Sequence, residues 1–462
     1  MALTRPIAAA LAALVLLSCA GLALAADRTD RSFGQNGVAQ PAPPSGTGQD
    51  GVGIRDLATA AGSRLIAAVG DLDGSDGYFG AARLSRNGSL DGSFGSGGYT
   101  ARLHVRHGGP AGSGLQLRGR AIALQKNGRI LVAGYQENEL GGTATLLARY
   151  RPDGSLDHSF GGGGVIAPKP AVEGVDAAHL DRGGGAFHDV AVQRDGRIIA
   201  VGGQNEERGA RPAGLVIAYR PNGELDDGFG DGGRLVLPRP RDGVFTGFTS
   251  VRSLRSGKIL VAGYLHGRLS VLRLTEGGQL DPSFGGGDGI AMPSAGQPRA
   301  CCPFPATIAL AKGGRILLSG IAERAREEPV LLFRLRPNGQ LDPGFGKRGT
   351  VVGRPDRKGL SAFLELGMAR QRNGRIVVVG ASELVDREST VFYRFTVLRY
   401  LANGKVDRGF GSGGVATVSP PTGGVAASAV ALPNGRVAVG GGLYDLHAHP
   451  SPFHPVVARF LG

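Results

Sequence analysis

Arg151-Pro-Asp-Gly-Ser-Leu-Asp-His-Ser-Phe-Gly-Gly-Gly-Gly-Val-Ile166 is the stretch on which the fold turns, because the rest of the chain repeats it. The string Leu-Asp-x-x-Phe-Gly recurs with its Phe at positions 94, 160, 229, 284 and 345. A Val-Asp variant carries Phe410, and a shortened copy, Asp30-Arg-Ser-Phe33-Gly34, lies near the start. Seven copies, spaced 55 to 69 residues apart, describe an internal repeat, and a period of this size outranks any local signal.

Between copies the same order of segments returns. In the third repeat, Phe187–Gln193 alternates small and apolar residues, Arg194-Asp-Gly196 turns the chain, and Arg197–Gly202 is β-branched and nearly all apolar. A run of that second kind suits a strand buried on both faces. A polar loop from Gly203 to Ala213 follows, then a third strand, Leu215–Arg220, a Pro-Asn-Gly turn, the Phe229 motif and a fourth strand, Arg234–Leu237. The Asn-Gly and Asp-Gly pairs predict two-residue hairpins in which both central residues take positive φ. An isolated four-stranded unit would expose edges and an apolar face, so seven of them predict an all-β, seven-bladed β-propeller of four-stranded antiparallel blades. The chain stops at a third strand, Val456–Phe460, with no motif after it, and the missing piece stands at the other end as Phe33-Gly34 and Gly37-Val-Ala-Gln40. The N-terminal strand is therefore expected to complete the last blade and close the ring.

Leu-Asp-x-x-Phe-Gly-x-x-Gly, the Asn/Asp-Gly-Arg-Ile turn and the period near sixty resemble the bacterial delta-60 repeat family of propellers over about Asp27 to Gly462. Val-Ala-Val-x-x-Asp-Gly-Arg-Ile is more loosely similar to the NHL repeat. The first resemblance implies a propeller and export, and brings no defined activity and no catalytic residues. NHL relatives include binding scaffolds and enzymes, so that likeness leaves function open.

Composition agrees with a turn-rich β protein. The 81 glycines lack a period of three, Trp is absent, and aromatic residues make up 6 %, which argues against an aromatic platform for bases or sugars. The first residues, Met1-Ala-Leu-Thr-Arg5, precede an apolar run from Ile7 to about Leu17 and an Ala23-Leu-Ala25 site. This pattern predicts a signal peptide over 1–25, a propeller over 26–462, and export to the periplasm or the medium. Leu16-Leu-Ser-Cys19 offers the competing expectation of a lipid anchor on Cys19. No other run is long enough for a transmembrane helix. Cys301 and Cys302 stand side by side, and would form a vicinal disulfide, stay reduced, or pair with another molecule. They resemble the vicinal pair of quinone-dependent dehydrogenases, but those dock their quinone with tryptophan and this chain has none.

The net charge is +14, with 45 arginines against 7 lysines. Arg149, Arg273, Arg334, Arg399 and Arg459 recur at one strand position, which reads as a scaffold role on solvated strand faces. The diffuse basic field favours an acidic partner, a protein or an anionic glycan of an envelope surface, and its lack of a clustered patch disfavours nucleic acid. A monomer is expected.

Strand polarity puts the short, uniform turns on one face and long, dissimilar loops, such as 168–186, 238–246 and 443–455, on the other, where a ligand is expected. Arg55, Asp56, Arg120, His188 and Asp189 are polar exceptions at inner-strand positions otherwise filled by Ala, Ser, Thr or Gly, and they would line the channel mouth for a small anion or polar ligand. A wet channel would also explain them. Asp71, Asp73 and Asp76 alternate in a Gly-rich loop that would present oxygens to Ca²⁺, although the EF-hand's terminal Glu is missing; no cofactor is otherwise expected. His447, His449 and His454 would suit Zn²⁺ or Cu²⁺, or be plain solvated histidines. No nucleophile elbow, zinc-protease, phosphate-loop or dinucleotide motif occurs. The reading is a non-catalytic scaffold that binds a protein or glycan through its long-loop face. The alternatives are a hydrolase or lyase using Asp56, His188 and Asp189, and a structural component of the envelope.

Overall fold

The computed structural model describes residues 28–44, 52–71, 78–101, 103, 116–137, 143–167, 185–204, 213–237, 246–293, 305–321, 330–353, 363–385, 391–418, 423–444 and 453–462. They form a seven-bladed β-propeller of antiparallel meanders. Six sheets have four strands. Blade one has three, with the isolated bridge Ala82↔Tyr99 in place of its outer strand. No helix among the described residues is long and apolar enough to cross a membrane.

Blade three shows how the sequence sets the layers. Its strands run Gly185–Val192, Ile198–Gln204, Ala213–Tyr219 and Arg234–Leu237, from the channel outward. Ile198, Ile199, Ala200 and Val201 are all fully buried, as the unbroken apolar run requires of a strand covered on both faces. The hairpin turns differ from the expectation in one respect. At Gln193–Arg197 only Gly196 has positive φ (94°), while Gly196 N donates to Gln193 O at 3.1 Å and Gln193 N to Arg197 O at 2.8 Å. This is a type I turn followed by a left-handed glycine, the longer hairpin loop. Asp195 prefers it because its carboxylate accepts the Arg197 amide at 3.1 Å, a local bond that fixes the turn without left-handed Asp. Blade four supplies the two-residue hairpin instead, at His266-Gly267, with φ of 54° and 68°.

The Leu-Asp-x-x-Phe-Gly string is the joint between blades. Phe160 is fully buried and packs with Phe187 and Ile198 of the next blade. Arg149 lies over the Phe160 ring, 4.4 Å from its centroid, pairs through Nε with Asp157 at 2.8 Å, and donates from Nη1 to the next blade's Pro221 carbonyl at 2.5 Å. Gly161 N donates to Asn222 O at 2.9 Å alongside. Arg83, Arg273, Arg334, Arg399 and Arg459 repeat the stack over Phe94, Phe284, Phe345, Phe410 and Phe33 at 4.3 to 4.8 Å. The expectation of solvated arginines is therefore overturned: Arg149, Arg399 and Arg459 are 3 to 6 % exposed. Burial is tolerable because one guanidinium satisfies a carboxylate, a carbonyl and an aromatic face together. At Asp157 burial opposes ionisation, but the Ser159 hydroxyl and Arg149 outweigh it and hold the carboxyl down at about 2.

Blade three lacks this arginine, having Ala218 in its place. Arg197, from the neighbouring strand, takes over: its Nη1 donates at 3.1 Å to the carbonyl of Glu276, the blade-four counterpart of Pro221, and its Nη2 binds the Glu276 carboxylate.

Ring closure follows the sequence reading. Val38–Ala39 pairs with Phe453–Phe460 as the outer strand of blade seven, in the register Val38↔Ala458. Asp30 takes Arg459 at 2.6 Å and Arg436 at 2.9 Å, and Gly34 N donates to Asn87 O of blade one at 2.6 Å.

Candidate functional site

The inner strands carry a β-bulge at a matching level in six blades. The skipped residues are Arg55 in Val52–Thr59, Arg120 in Gln116–Leu124, His188 in Gly185–Val192, Thr249 in Gly247–Ser253, Leu366 in Phe363–Arg370 and Ala427 in Gly423–Ala431. A bulge re-aims the extra residue and bends its strand, and here it takes one residue of the innermost strand out of the ladder in each of the six blades. Three of the five residues singled out from sequence, Arg55, Arg120 and His188, are bulge residues, and the other two, Asp56 and Asp189, follow a bulge directly.

In blades one, three, four and seven the residue after the bulge ties its blade to the next. Asp56 Oδ2 accepts Ile122 N of blade two at 3.0 Å, and Oδ1 accepts Leu57 N and the Ser428 hydroxyl of blade seven, both at 2.8 Å. Asp189 repeats the arrangement: Oδ2 takes Val251 N at 2.8 Å and Arg252 Nη1 at 2.9 Å from blade four, and Oδ1 takes Val190 N at 2.8 Å. Ser250 Oγ accepts Ile308 N at 3.3 Å in the same sense, and Thr249 Oγ1 both accepts Ala306 N at 2.8 Å and donates to Ala306 O at 2.9 Å. A partial belt of inter-blade hydrogen bonds thus joins blades seven, one and two and blades three, four and five, and both carboxylates belong to it.

The electrostatics of the belt follow from enclosure. Desolvation, and then the nearby Asp189 charge, push the Asp56 carboxyl up to about 6, although its donors act against the shift. Desolvation, and then the Arg120 charge, push His188 down to about 4, so its imidazole is neutral at neutral pH with one donor and one acceptor nitrogen. Arg120 donates from Nη2 to the Tyr135 hydroxyl at 2.9 Å and lies 5.4 Å from that ring's centroid, while its buried Nε has no partner among the described residues. Ser428, Arg252 and Tyr135 belong to the site but were not singled out from sequence. Serine and arginine are common on strands of this chain, and only the bulge register brings these two to the belt.

The other candidates fall mostly outside the described residues. Asp71 ends the strand Leu65–Asp71, and Asp73 and Asp76 lie outside the described residues. Cys301 and Cys302, His447 and His449, residues 1–27, and most of the long loops also lie outside them. His454 is exposed, in register with Leu443. Among the described residues no group of three His, Cys, Asp or Glu is placed to hold a metal ion.

A family described as "Domain of unknown function (DUF5122) beta-propeller" matches residues 125–160, 254–284 and 371–410. Each window runs from the first hairpin turn to the motif Phe of blades two, four and six, and together they support a β-propeller family. No curated protein matches the chain. Among solved structures, a protein of unknown function from Dyadobacter fermentans is similar over 91 % of this chain and 97 % of its own, at 11 % identity and TM-score 0.42. A PL25 ulvan lyase is similar over 85 % and 92 %, at 10 % identity and TM-score 0.43. A Penicillium chrysogenum α-L-arabinanase is similar over 76 % and 93 %, at 12 % identity and TM-score 0.39. At such identities and scores these likenesses carry no functional argument.

Proposed function

We propose that the chain is an exported, non-catalytic propeller of the delta-60 repeat type that holds an acidic partner, a protein or an anionic glycan, at its long-loop face and channel mouth. The observation that carries this reading is the division of roles at the bulges. Asp56 and Asp189 each accept three hydrogen bonds from the ring itself, so the two carboxylates are committed to holding blades together. The bulge positions between them carry Arg55, Arg120 and a neutral His188, which leaves cationic and neutral donors at the channel wall. Such a wall attracts carboxylate or sulfate groups. Replacing loops 168–186 and 443–455 with short turns is expected to abolish partner capture from envelope extracts while the circular dichroism stays that of the parent; undiminished capture would sink the proposal.

One observation favours a second reading, a hydrolase or lyase. A carboxyl that titrates near 6 and an imidazole held neutral, both on inner strands, have the protonation states that acid–base chemistry uses. Screening the purified protein against polysaccharide and ester substrates, then repeating the screen with Asp56→Asn, His188→Gln and Asp189→Asn, separates the two. Turnover that disappears with His188→Gln selects the enzyme, and no turnover on any substrate selects the binder.

A further inference from the structure

Blade six departs from the repeat at two positions, and both open onto one small cavity on the turn face. The last residue of the inner strand is Arg370, where the other blades carry Thr59, Leu124, Val192, Ser253, Leu310 and Ala431. The third-strand turn carries Ala402, where blades one to five have the larger Arg86, Pro152, Pro221, Glu276 and Pro337 and blade seven has Gly462. In blades two, three and five the proline ring fills the space over the hairpin glycine, lying 3.2 to 3.4 Å from where a Cβ would stand on Gly128, Gly196 and Gly314. Over Gly374 the Ala402 methyl, 3.0 Å away, stands in place of a ring, and Arg370 Nη2 lies 4.0 Å away.

The resulting cavity, about 140 Å³, is lined by Lys312, Arg315, Arg334 and Arg370 together with Gly374 and Ala402. Its volume equals that of roughly four or five water molecules at about 30 Å³ each, which suits an ion of five heavy atoms. The lining holds no carboxylate among the described residues; two of the four cations pair at the joint with Asp342, whose Oδ2 takes both Arg315 Nε at 2.7 Å and Arg334 Nε at 2.8 Å. Arg334 Nη1 is spent on Ala402 O at 2.7 Å, and one Arg315 Nη1 on Lys312 O at 3.3 Å. No ion pair is recorded for Lys312 or Arg370 among the described residues. Adding a cation and removing a side chain at the same spot would be costly to no purpose in an ordinary joint, because like charges are gathered around a hole.

We propose that this cavity binds a tetrahedral oxyanion, sulfate or phosphate, free or as a monoester. Arg370 and Lys312 supply the charge that the joint leaves unbalanced, Arg315 closes one side, and the missing proline ring makes the room. Guanidinium and ammonium donors converging on one point are the usual means of holding such a group. The site is on the face opposite the long loops and is independent of the channel reading.

The test is calorimetric titration of the whole protein with sodium sulfate and sodium phosphate, at an ionic strength held constant with chloride, with thermal shift as a second readout. One saturable site is expected, weakened about tenfold or more by Arg370→Leu and likewise by Ala402→Pro, each of which restores a residue other blades tolerate. Lys126→Ala, the blade-two counterpart of Lys312, should leave binding unchanged. Glucose 6-phosphate distinguishes the sources: binding of inorganic ion and ester together marks an ester group as the ligand, and binding of the inorganic ion alone marks a free ion. No saturable binding by a folded parent, or equal binding by a folded Arg370→Leu, would overturn the proposal.

Discussion

The guanidinium of Arg459 lies 4.4 Å from the centroid of the Phe33 ring, so the last strand of the chain is stacked on a residue from near its start. The same contact joins Arg149 to Phe160 in mid-chain. Ring closure is thus chemically one more blade joint, made by residues from opposite ends of the sequence. Arg459→Ala would strip Asp30, itself 3 % exposed, of its closest cation. Breaking a buried pair from one side costs about 3–5 kcal/mol, and equilibrium denaturation in urea should show a loss of that size.

Phe160→Ala leaves a cavity between blades two and three in place of a fully buried ring. A loss of about 3–5 kcal/mol is expected from the same measurement. Near-neutral stability would mean that the repeated motif serves binding and not assembly.

Arg197→Ala should cost more than Arg129→Ala. Arg129 adds a second cation to Asp157, which keeps Arg149. Arg197 makes the cross-blade carbonyl contact for a blade in which Ala218 has replaced the stacked arginine. A difference of about 1–3 kcal/mol between the two variants is expected from denaturation curves.

The channel pair has opposing pH effects. Asp56 titrates at about 6 in the folded protein against 3.8 as a model group, so the folded state holds the extra proton in that window and stability falls as pH rises through it. His188 titrates at about 4 against 6.5, so the unfolded state holds the extra proton and stability rises with pH from about 4 to 6.5. Each effect is on the order of 3 kcal/mol, and the two nearly cancel. Asp56→Asn should therefore expose a rising stability between pH 4 and 6.5, and His188→Gln a falling one, in a series of denaturation curves. Parallel profiles for parent and variants would contradict the assignment.

The repeat made the architecture legible. Phe-Gly spacing, the recurring order of strands and turns and the split last blade lead to the closed ring without any structural information. The channel was legible only in part. Arg55, Arg120 and His188 stood out as polar residues where neighbours are small, but no local signal marks a bulge, so their shared level and the blade-to-blade bonds of Asp56 and Asp189 were not. Arg149 and its counterparts misled for a related reason. An arginine at alternate strand positions looks solvated, and its burial depends on a Phe eleven or so residues later that folds back beneath it. Arg197 and Ala218 exchange roles across two strands, a compensation visible only once Glu276 is in place.

The most direct test of the account is partner capture from envelope extracts by the whole protein and by Arg55→Ala/Arg120→Ala, both compared with the parent's circular dichroism. An acidic protein or glycan retained by the parent, released by moderate salt and lost in the double variant is the predicted result. The same species retained undiminished by the folded double variant would contradict the assignment of the channel mouth as the binding site.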